Sequence, residues 1–187
     1  MKKVILEVSA RHLHLSEKDL FALFGKNYVL HKKKDLSQKV EFAAQETVDV
    51  IHKNKALSCR VVGPTRKQTQ VELSATDFKF LDLPTSLRLS GDLKNTGGAV
   101  LVGPKAKIKL KQGLILAKRH LHIDPKTAQK WNLKNGQSIS AVNRGERAVV
   151  FKNVIVRIGD FTSRLHLDTD EANAAGLKNN DFIYLDI

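Results

Sequence analysis

Among its 187 residues the chain has one cysteine, Cys59. An internal disulfide is excluded, so the fold must rest on buried apolar surface, as in a reducing compartment. Aromatic residues are scarce: one Trp and two Tyr accompany eight Phe, which leaves few platforms on which bases could stack. Apolar runs are short, Gly113-Leu114-Ile115-Leu116-Ala117 being typical, and far below the ~20 residues of a membrane helix. The start, Met1-Lys2-Lys3-Val4-Ile5, is charged and then strand-like. It has neither a long apolar stretch nor a small-residue cleavage site, so no secretion signal and a cytoplasmic location are expected. Low-complexity segments and linkers are also missing.

Positive charge is plentiful. Lys and Arg number 32 against 19 Asp and Glu, a net charge of +13. That balance favours anionic partners. Only Lys32-Lys33-Lys34 forms a basic run, and the rest is scattered, so a solvated surface explains the charge most simply. A polyanionic small molecule or a nucleic acid are the other readings. The length and a hydrophobic content of 42% allow one large domain or two small ones.

Alternating patterns predict strands over 3–8, 56–62, 68–73, 100–102, 106–111, 114–117, 138–142, 148–156 and 182–186. Many short strands at close spacing favour barrels or sandwiches over βαβ units. Helices are expected to be few and short. Ser16 caps one that Gly25 ends, and Asp124-Pro125 supplies a cap and a first-turn proline for a second. Thr169-Asp170-Glu171 opens a third that Gly176 stops. Asn143-Arg144-Gly145-Glu146 reads as a hairpin turn.

The most informative feature is a recurring tetrapeptide. Arg-His-Leu-His occurs at Arg11 to His14 and at Arg119 to His122, with a weaker copy in Ser163-Arg164-Leu165-His166. Each follows strand-like sequence and leads into a capped helix. Residues i and i+2 of a strand share a face, so His12 pairs with His14 and His120 with His122. Neighbouring imidazoles disfavour each other's protonation, and neutral imidazole is a metal ligand. Each pair supplies two ligands and needs a third. His166 can complete one set and a carboxylate the other, giving two metals or one shared centre. The bland alternative is a structural repeat in which Arg and His pair with carboxylates. His31 and His52 lack this context and read as surface histidines.

A second segment runs Gly63-Pro64-Thr65-Arg66-Lys67-Gln68-Thr69-Gln70-Val71-Glu72. The planar fork of Arg66 suits phosphate. Gln68, Gln70 and Glu72 alternate along one face. A solvated face is the ordinary explanation, and Glu72 as the missing carboxylate ligand is the sharper one. Ser90-Gly91-Asp92-Leu93-Lys94 has loop chemistry and a hydroxyl. Cys59 has no motif around it and is not expected to be a nucleophile.

These motifs, with His166-Leu167-Asp168-Thr169-Asp170-Glu171-Ala172-Asn173-Ala174-Ala175-Gly176, resemble in order and over nearly the whole chain those of the PduL-type phosphate propanoyltransferases. Those phosphotransacylases are associated with bacterial propanediol metabolism and microcompartments. The resemblance implies a mainly β fold of two small β-barrel domains capped by short α-helices, with the active site at their interface. The halves would be 1–112 and 113–187, the C-terminal strand being free to return to the first barrel. It implies two zinc ions, one held by His12, His14 and Glu72, the other by His120, His122 and His166. Arg66 would bind phosphate with Ser90 close by. Coenzyme A would touch Val8, Ser9, Ala10, Lys53, Arg60 and Asn173. The substrates would be acyl-CoA, either propanoyl or acetyl, and phosphate, with acyl phosphate and CoA as products. A homodimer is compatible with this picture; membrane contact is not expected and nucleic acid is disfavoured. No amphipathic segment of the microcompartment-targeting kind precedes the first strand, consistent with a cytoplasmic enzyme. Arg164 departs from the acidic or apolar approach expected before the third histidine. A dizinc acyl-CoA or ester hydrolase and a basic nucleic-acid-binding barrel are the rival readings.

Overall fold

A computed structural model describes all residues, Met1–Ile187. The fold is mainly β with four short helices, and the chain divides into two compact units. One comprises Arg11–Leu36 and Val40–Ala117; the other comprises Met1–Ala10, Ser37–Lys39 and Lys118–Ile187.

The first of these units holds β2 (His12–His14), β3 (Lys32–Asp35), β4 (Phe42–His52), β5 (Lys55–Gly63), β6 (Gln70–Glu72), β7 (Leu87–Arg88), β8 (Gly97–Val102) and β9 (Lys107–Ala117). The ladders run β4-β5-β2-β6-β9-β8 and back to β4. Six strands therefore close on themselves, leaving β3 and β7 as outer additions. Alternating inward residues such as Leu13, Val48, Val50, Val61, Val71 and Leu114 fill the interior, each with essentially no exposed surface. Helices α1 (Glu17–Phe24) and α2 (Ala75–Leu81) cap it, burying Leu20, Leu23, Phe78 and Leu81. Ser16 caps α1 by accepting from the Asp19 amide, and Gly25 closes it.

The second unit is a closed six-stranded barrel of β1 (Lys2–Ser9), β10 (His120–Ile123), β11 (Ser138–Val142), β12 (Val150–Ile158), β13 (Arg164–Asp168) and β14 (Phe182–Asp186). Its order is β1-β13-β10-β12-β11-β14. Leu6, Leu121, Val154, Val156, Leu165 and Ile183 form its core. Helices α3 (Pro125–Lys130) and α4 (Thr169–Ala174) are capped by Asp124 and Asp168. No helix is long and apolar enough to cross a membrane.

The barrels and short caps match the sequence expectation, whereas the division at 112/113 does not match the contacts. β1 is built into the barrel formed by the C-terminal third. It runs parallel to β13, with Leu6 opposite Leu165, and antiparallel to β14, with Val4 opposite Ile183. The N-terminal strand thus crosses over, and the C-terminal strand stays in its own barrel. Two predicted strands, 106–111 and 114–117, form one strand β9. Gly113, at φ 127, sits inside it, where a Cβ would meet the Thr69 carbonyl at 2.7 Å. Such an approach admits only glycine. Strand β4 and helix α2 have no counterpart in the sequence reading.

Candidate active site

The same local unit is built twice, once in each barrel. In one, β2 lies between β5, parallel, and β6, antiparallel. In the other, β10 lies between β12, parallel, and β13, antiparallel. The register sets His12 opposite Glu72 and His14 opposite Gln70; it sets His120 opposite His166 and His122 opposite Arg164. Glu72 thus stands where His166 stands, and Gln70 where Arg164 stands. Two residues beyond Glu72 and His166 come the N-caps Ser74 and Asp168. Each is in a capping box with the acid three residues on, Asp77 or Glu171. The arginine of each Arg-His-Leu-His motif pairs with that acid: Arg11 with Asp77 at 2.7 Å, and Arg119 with Glu171. The arginines therefore brace the helix that follows the strand facing each histidine pair.

Two three-residue sets result. The side-chain ligand atoms of His12, His14 and Glu72 lie within 4.8 Å of one another, and so do those of His120, His122 and His166. The His12 and His14 rings meet edge to face at 5.2 Å. Burial, helped by the neighbouring His12 and Arg66, pushes the His14 imidazole down to about 2, so it is neutral with a lone pair to donate. Its Nδ1 is shut off from solvent without a hydrogen-bond partner, a state that a buried polar atom rarely keeps. In the other set the His120 and His166 rings stack at 4.5 Å, and His122 stands across them at 4.7 and 4.6 Å. Two histidines with a carboxylate, and three histidines, are donor sets that suit a divalent transition metal and leave a position open. Both sets fit such an ion.

Around the first set the polar groups form one chain of hydrogen bonds. Gln70 Nε2 donates to Glu72 Oε1 at 2.6 Å and to Ser90 Oγ at 2.8 Å, while its Oε1 accepts from the Gly91 amide at 2.7 Å. Arg66 Nη1 donates to Ser90 Oγ at 3.1 Å, and Arg66 Nη2 pairs with Glu41 Oε1 at 2.8 Å. Arg66 is itself placed by its backbone amide, which donates to the Leu15 carbonyl at 2.9 Å. Gln70 and Glu72 are buried, whereas Gln68 lies before the strand and is exposed. The solvated-face reading holds for Gln68 alone.

The second set has different company. Six residues beyond the strand position facing the first histidine, one barrel has Arg66 (counting from Arg60) and the other Phe161 (counting from Ile155). The Phe161 ring stacks on His122 at 4.0 Å. One centre therefore has a partly exposed guanidinium and a hydroxyl beside it, and the other an aromatic ring stacked on a histidine.

The remaining expected contacts are distributed. Val8 and Ser9 end β1, with the Val8 amide donating to Asn179 Oδ1 at 2.6 Å and Ser9 in register with Asp168; Ala10 follows, and Asn173 lies on α4. Arg60 faces His12 across the β2–β5 ladder, but its Nη1 is committed to the carbonyls of Ala44 and Gln45 at 3.1 and 2.9 Å. Lys53 occupies the β4–β5 turn at φ 54 and pairs with Asp82. The strand from Lys55 to Arg60, roughly 17 Å at the usual rise, separates that turn from Arg60. His52 hydrogen-bonds the Leu81 carbonyl through Nδ1 at 2.8 Å. His31 is more than a surface residue, since its Nδ1 lies 2.7 Å from the buried Glu46 carboxylate. Burial works to raise that carboxyl, but the bonds from His31 and Tyr28 hold it below its ordinary value.

Relatives match this chain along almost its whole length. A family model described as phosphate propanoyltransferase matches residues 5–178. A phosphate propanoyltransferase of Thermotoga maritima is 43% identical over 97% of this chain and 88% of its own. One from Priestia megaterium is 46% identical over 95% and 83%, and one from Lachnoclostridium phytofermentans 46% over 90% and 80%. With two barrels built around paired histidine motifs, and likeness along almost its full length, the chain is an acyltransferase that belongs to the phosphate propanoyltransferase family.

Proposed function

We propose that the enzyme interconverts acyl-CoA and phosphate with acyl phosphate and CoA, by direct attack of phosphate on the thioester. The observation that carries this reading is the hydrogen-bonded chain Arg66–Ser90–Gln70–Glu72, which joins an anion-binding guanidinium to a metal-ligand set within one barrel. Arg66 offers phosphate a planar pair of donors, and the Ser90 hydroxyl fixes one end of that fork. Gln70 holds the Glu72 carboxylate in one rotamer, the role outer groups play at metal sites. The new C–O bond forms as the C–S bond breaks, and the thiolate leaves with the electron pair. His12, His14 and Glu72 would hold one zinc and His120, His122 and His166 a second; when bound, such an ion supplies Lewis acidity and offsets developing negative charge. Val8, Ser9, Ala10 and Asn173 are proposed to meet coenzyme A, with Arg60 and Lys53 toward its anionic groups. The excess of basic residues favours encounter with that polyanion. A cytoplasmic reaction is part of this proposal. Propanoyl and acetyl differ by one methylene, a discrimination of roughly 1–3 kcal/mol in an apolar pocket.

The test is release of free CoA from propanoyl-CoA and acetyl-CoA, with and without phosphate, on protein of known metal content. Phosphate-dependent release that chelation abolishes supports the transfer. Release at the same rate without phosphate makes the enzyme a hydrolase.

No protein thiol is used. Cys59 is fully buried, and burial pushes its thiol up to about 12, so almost no thiolate exists at neutral pH. Cys59→Ala is expected to keep the turnover of the folded enzyme, and the native thiol should not react with a chromogenic thiol reagent until the protein is denatured. Loss of turnover in a folded Cys59→Ala enzyme would reinstate a covalent route.

A further inference from the structure

Arg66 is engaged at both ends, and the two partners differ in kind. Nη1 meets the neutral Ser90 hydroxyl, which Gln70 and, through it, the Gly91 amide hold in place. Nη2 meets a carboxylate, Glu41 Oε1, at 2.8 Å. The Ser90 side is a braced frame tied to a buried glutamine. The Glu41 side is open, the two side chains being 34% and 29% exposed. Glu41 is also carried on an unusual piece of chain. Its neighbour Val40 is 84% exposed with φ 60, a left-handed backbone that β-branched residues avoid.

A phosphate that takes a two-pronged grip on Arg66 needs the prong that Glu41 holds. A carboxylate and a phosphate oxygen are equivalent acceptors for a guanidinium, so they compete. Phosphate carries more charge and can also reach Ser90, so it can win the exchange. Left in place, a second anion against the same guanidinium would be repelled. We infer that Glu41 is a stand-in anion on the phosphate arginine, which incoming phosphate displaces and which sets the affinity for phosphate. This rests on Arg66 as the phosphate group. It makes Glu41 a residue that tunes substrate affinity from outside the reacting atoms. While no substrate is present, the carboxylate keeps the fork oriented and its charge balanced.

Glu41→Gln tests this, because glutamine keeps the length and the acceptor oxygen but not the charge. Partly exposed ion pairs are weak, so the Michaelis constant for phosphate is expected to fall about three- to fivefold, with the constant for acyl-CoA unchanged. Sulfate provides a readout free of chemistry: as a competitive inhibitor against phosphate, its inhibition constant should fall by the same factor. In the Arg66→Ala background Glu41→Gln should change neither constant, since a displaced anion matters only if the guanidinium is there. A rise in the phosphate constant on Glu41→Gln would mean that the carboxylate positions Arg66 for substrate, and no change would mean that it is a bystander; either overturns the inference. If Arg66→Ala alone leaves the phosphate constant unchanged, the failure lies instead in the assignment of Arg66.

Discussion

Replacing Arg66 with alanine is expected to cut kcat/KM for phosphate by roughly 10²- to 10³-fold, the range for loss of one well-placed donor to a reacting oxyanion. Most of the loss should appear as a raised phosphate constant, because the group binds the nucleophile rather than the thioester. The constant for acyl-CoA should stay near the wild-type value. The fold should tolerate the change. Arg66 is about one-third exposed, and Ser90 keeps its bond from Gln70 when the guanidinium is gone. A shift in unfolding free energy of at most about 0.5 kcal/mol is expected, as for other partly exposed positions. Arg66→Lys should recover part of the activity, since it restores charge but not the two parallel bonds. Steady-state kinetics with phosphate and acyl-CoA varied separately decide the matter. A loss confined to the acyl-CoA constant would move Arg66 to the CoA phosphates.

His122→Ala should have the second large effect, read first in metal content. The three imidazoles are the whole of the proposed ligand set in that barrel, and removing one leaves two. Elemental analysis is expected to fall from two ions per chain to one, with the His12, His14 and Glu72 set still loaded. Turnover should drop by about 10³-fold, taking the several kcal/mol that a Lewis acid contributes at 1.4 kcal/mol per factor of ten. Phe161 loses the ring it stacks on at 4.0 Å, so some local loosening will accompany the substitution. His122→Gln, closer in size, separates that packing effect from ligation: it should also lose the ion. Removing the metal from the wild type should lower its melting temperature, because an ion bound only by the native state stabilises it by mass action. Two ions per chain retained in His122→Ala would contradict the assigned ligand set.

The barrel class and the two histidine clusters are legible in the sequence, whereas the strand connections are not. The candidate ligand clusters are legible because a strand end followed by a capped helix is written locally. Ser16, Asp124 and Asp168 cap helices, and the histidines sit two residues before each cap. By residue type the segment ending at His166 resembles the two Arg-His-Leu-His copies. The structure matches it instead to Gln70-Val71-Glu72, a likeness of position without likeness of residue. Strand β4 escaped detection because Glu46 occupies an inward position between Ala44 and Val48 and breaks the apolar alternation. Tyr28 and His31 satisfy that carboxylate, which no periodicity foretells. Helix α2 had a readable signal, the Ser74–Asp77 capping box with Phe78 and Leu81 on one face, but seven residues are short for a periodic pattern. The placement of β1 beside β13 joins residues about 160 positions apart and leaves no local trace. Glu41 is likewise one acid among many until Arg66 is beside it.

The paired design also allows the two centres to diverge. They share a register, a cap and a bracing arginine, yet one has Arg66 where the other has Phe161. Together with Glu72 against His166 and Gln70 against Arg164, that exchange puts a guanidinium near one histidine pair and an aromatic ring on the other.

Strand β3 supplies a different consequence. A closed circuit of strands has no free edge, but β3 lies outside the circuit, paired only with β4. Its residues Lys32, Lys33, Lys34 and Asp35 are all exposed. A lone polar edge would be a template for another copy of the chain, and a run of lysines makes that meeting repulsive. The only basic run in the sequence thus lies along that edge, where neutralising its charges is expected to ease edge-to-edge pairing with another copy.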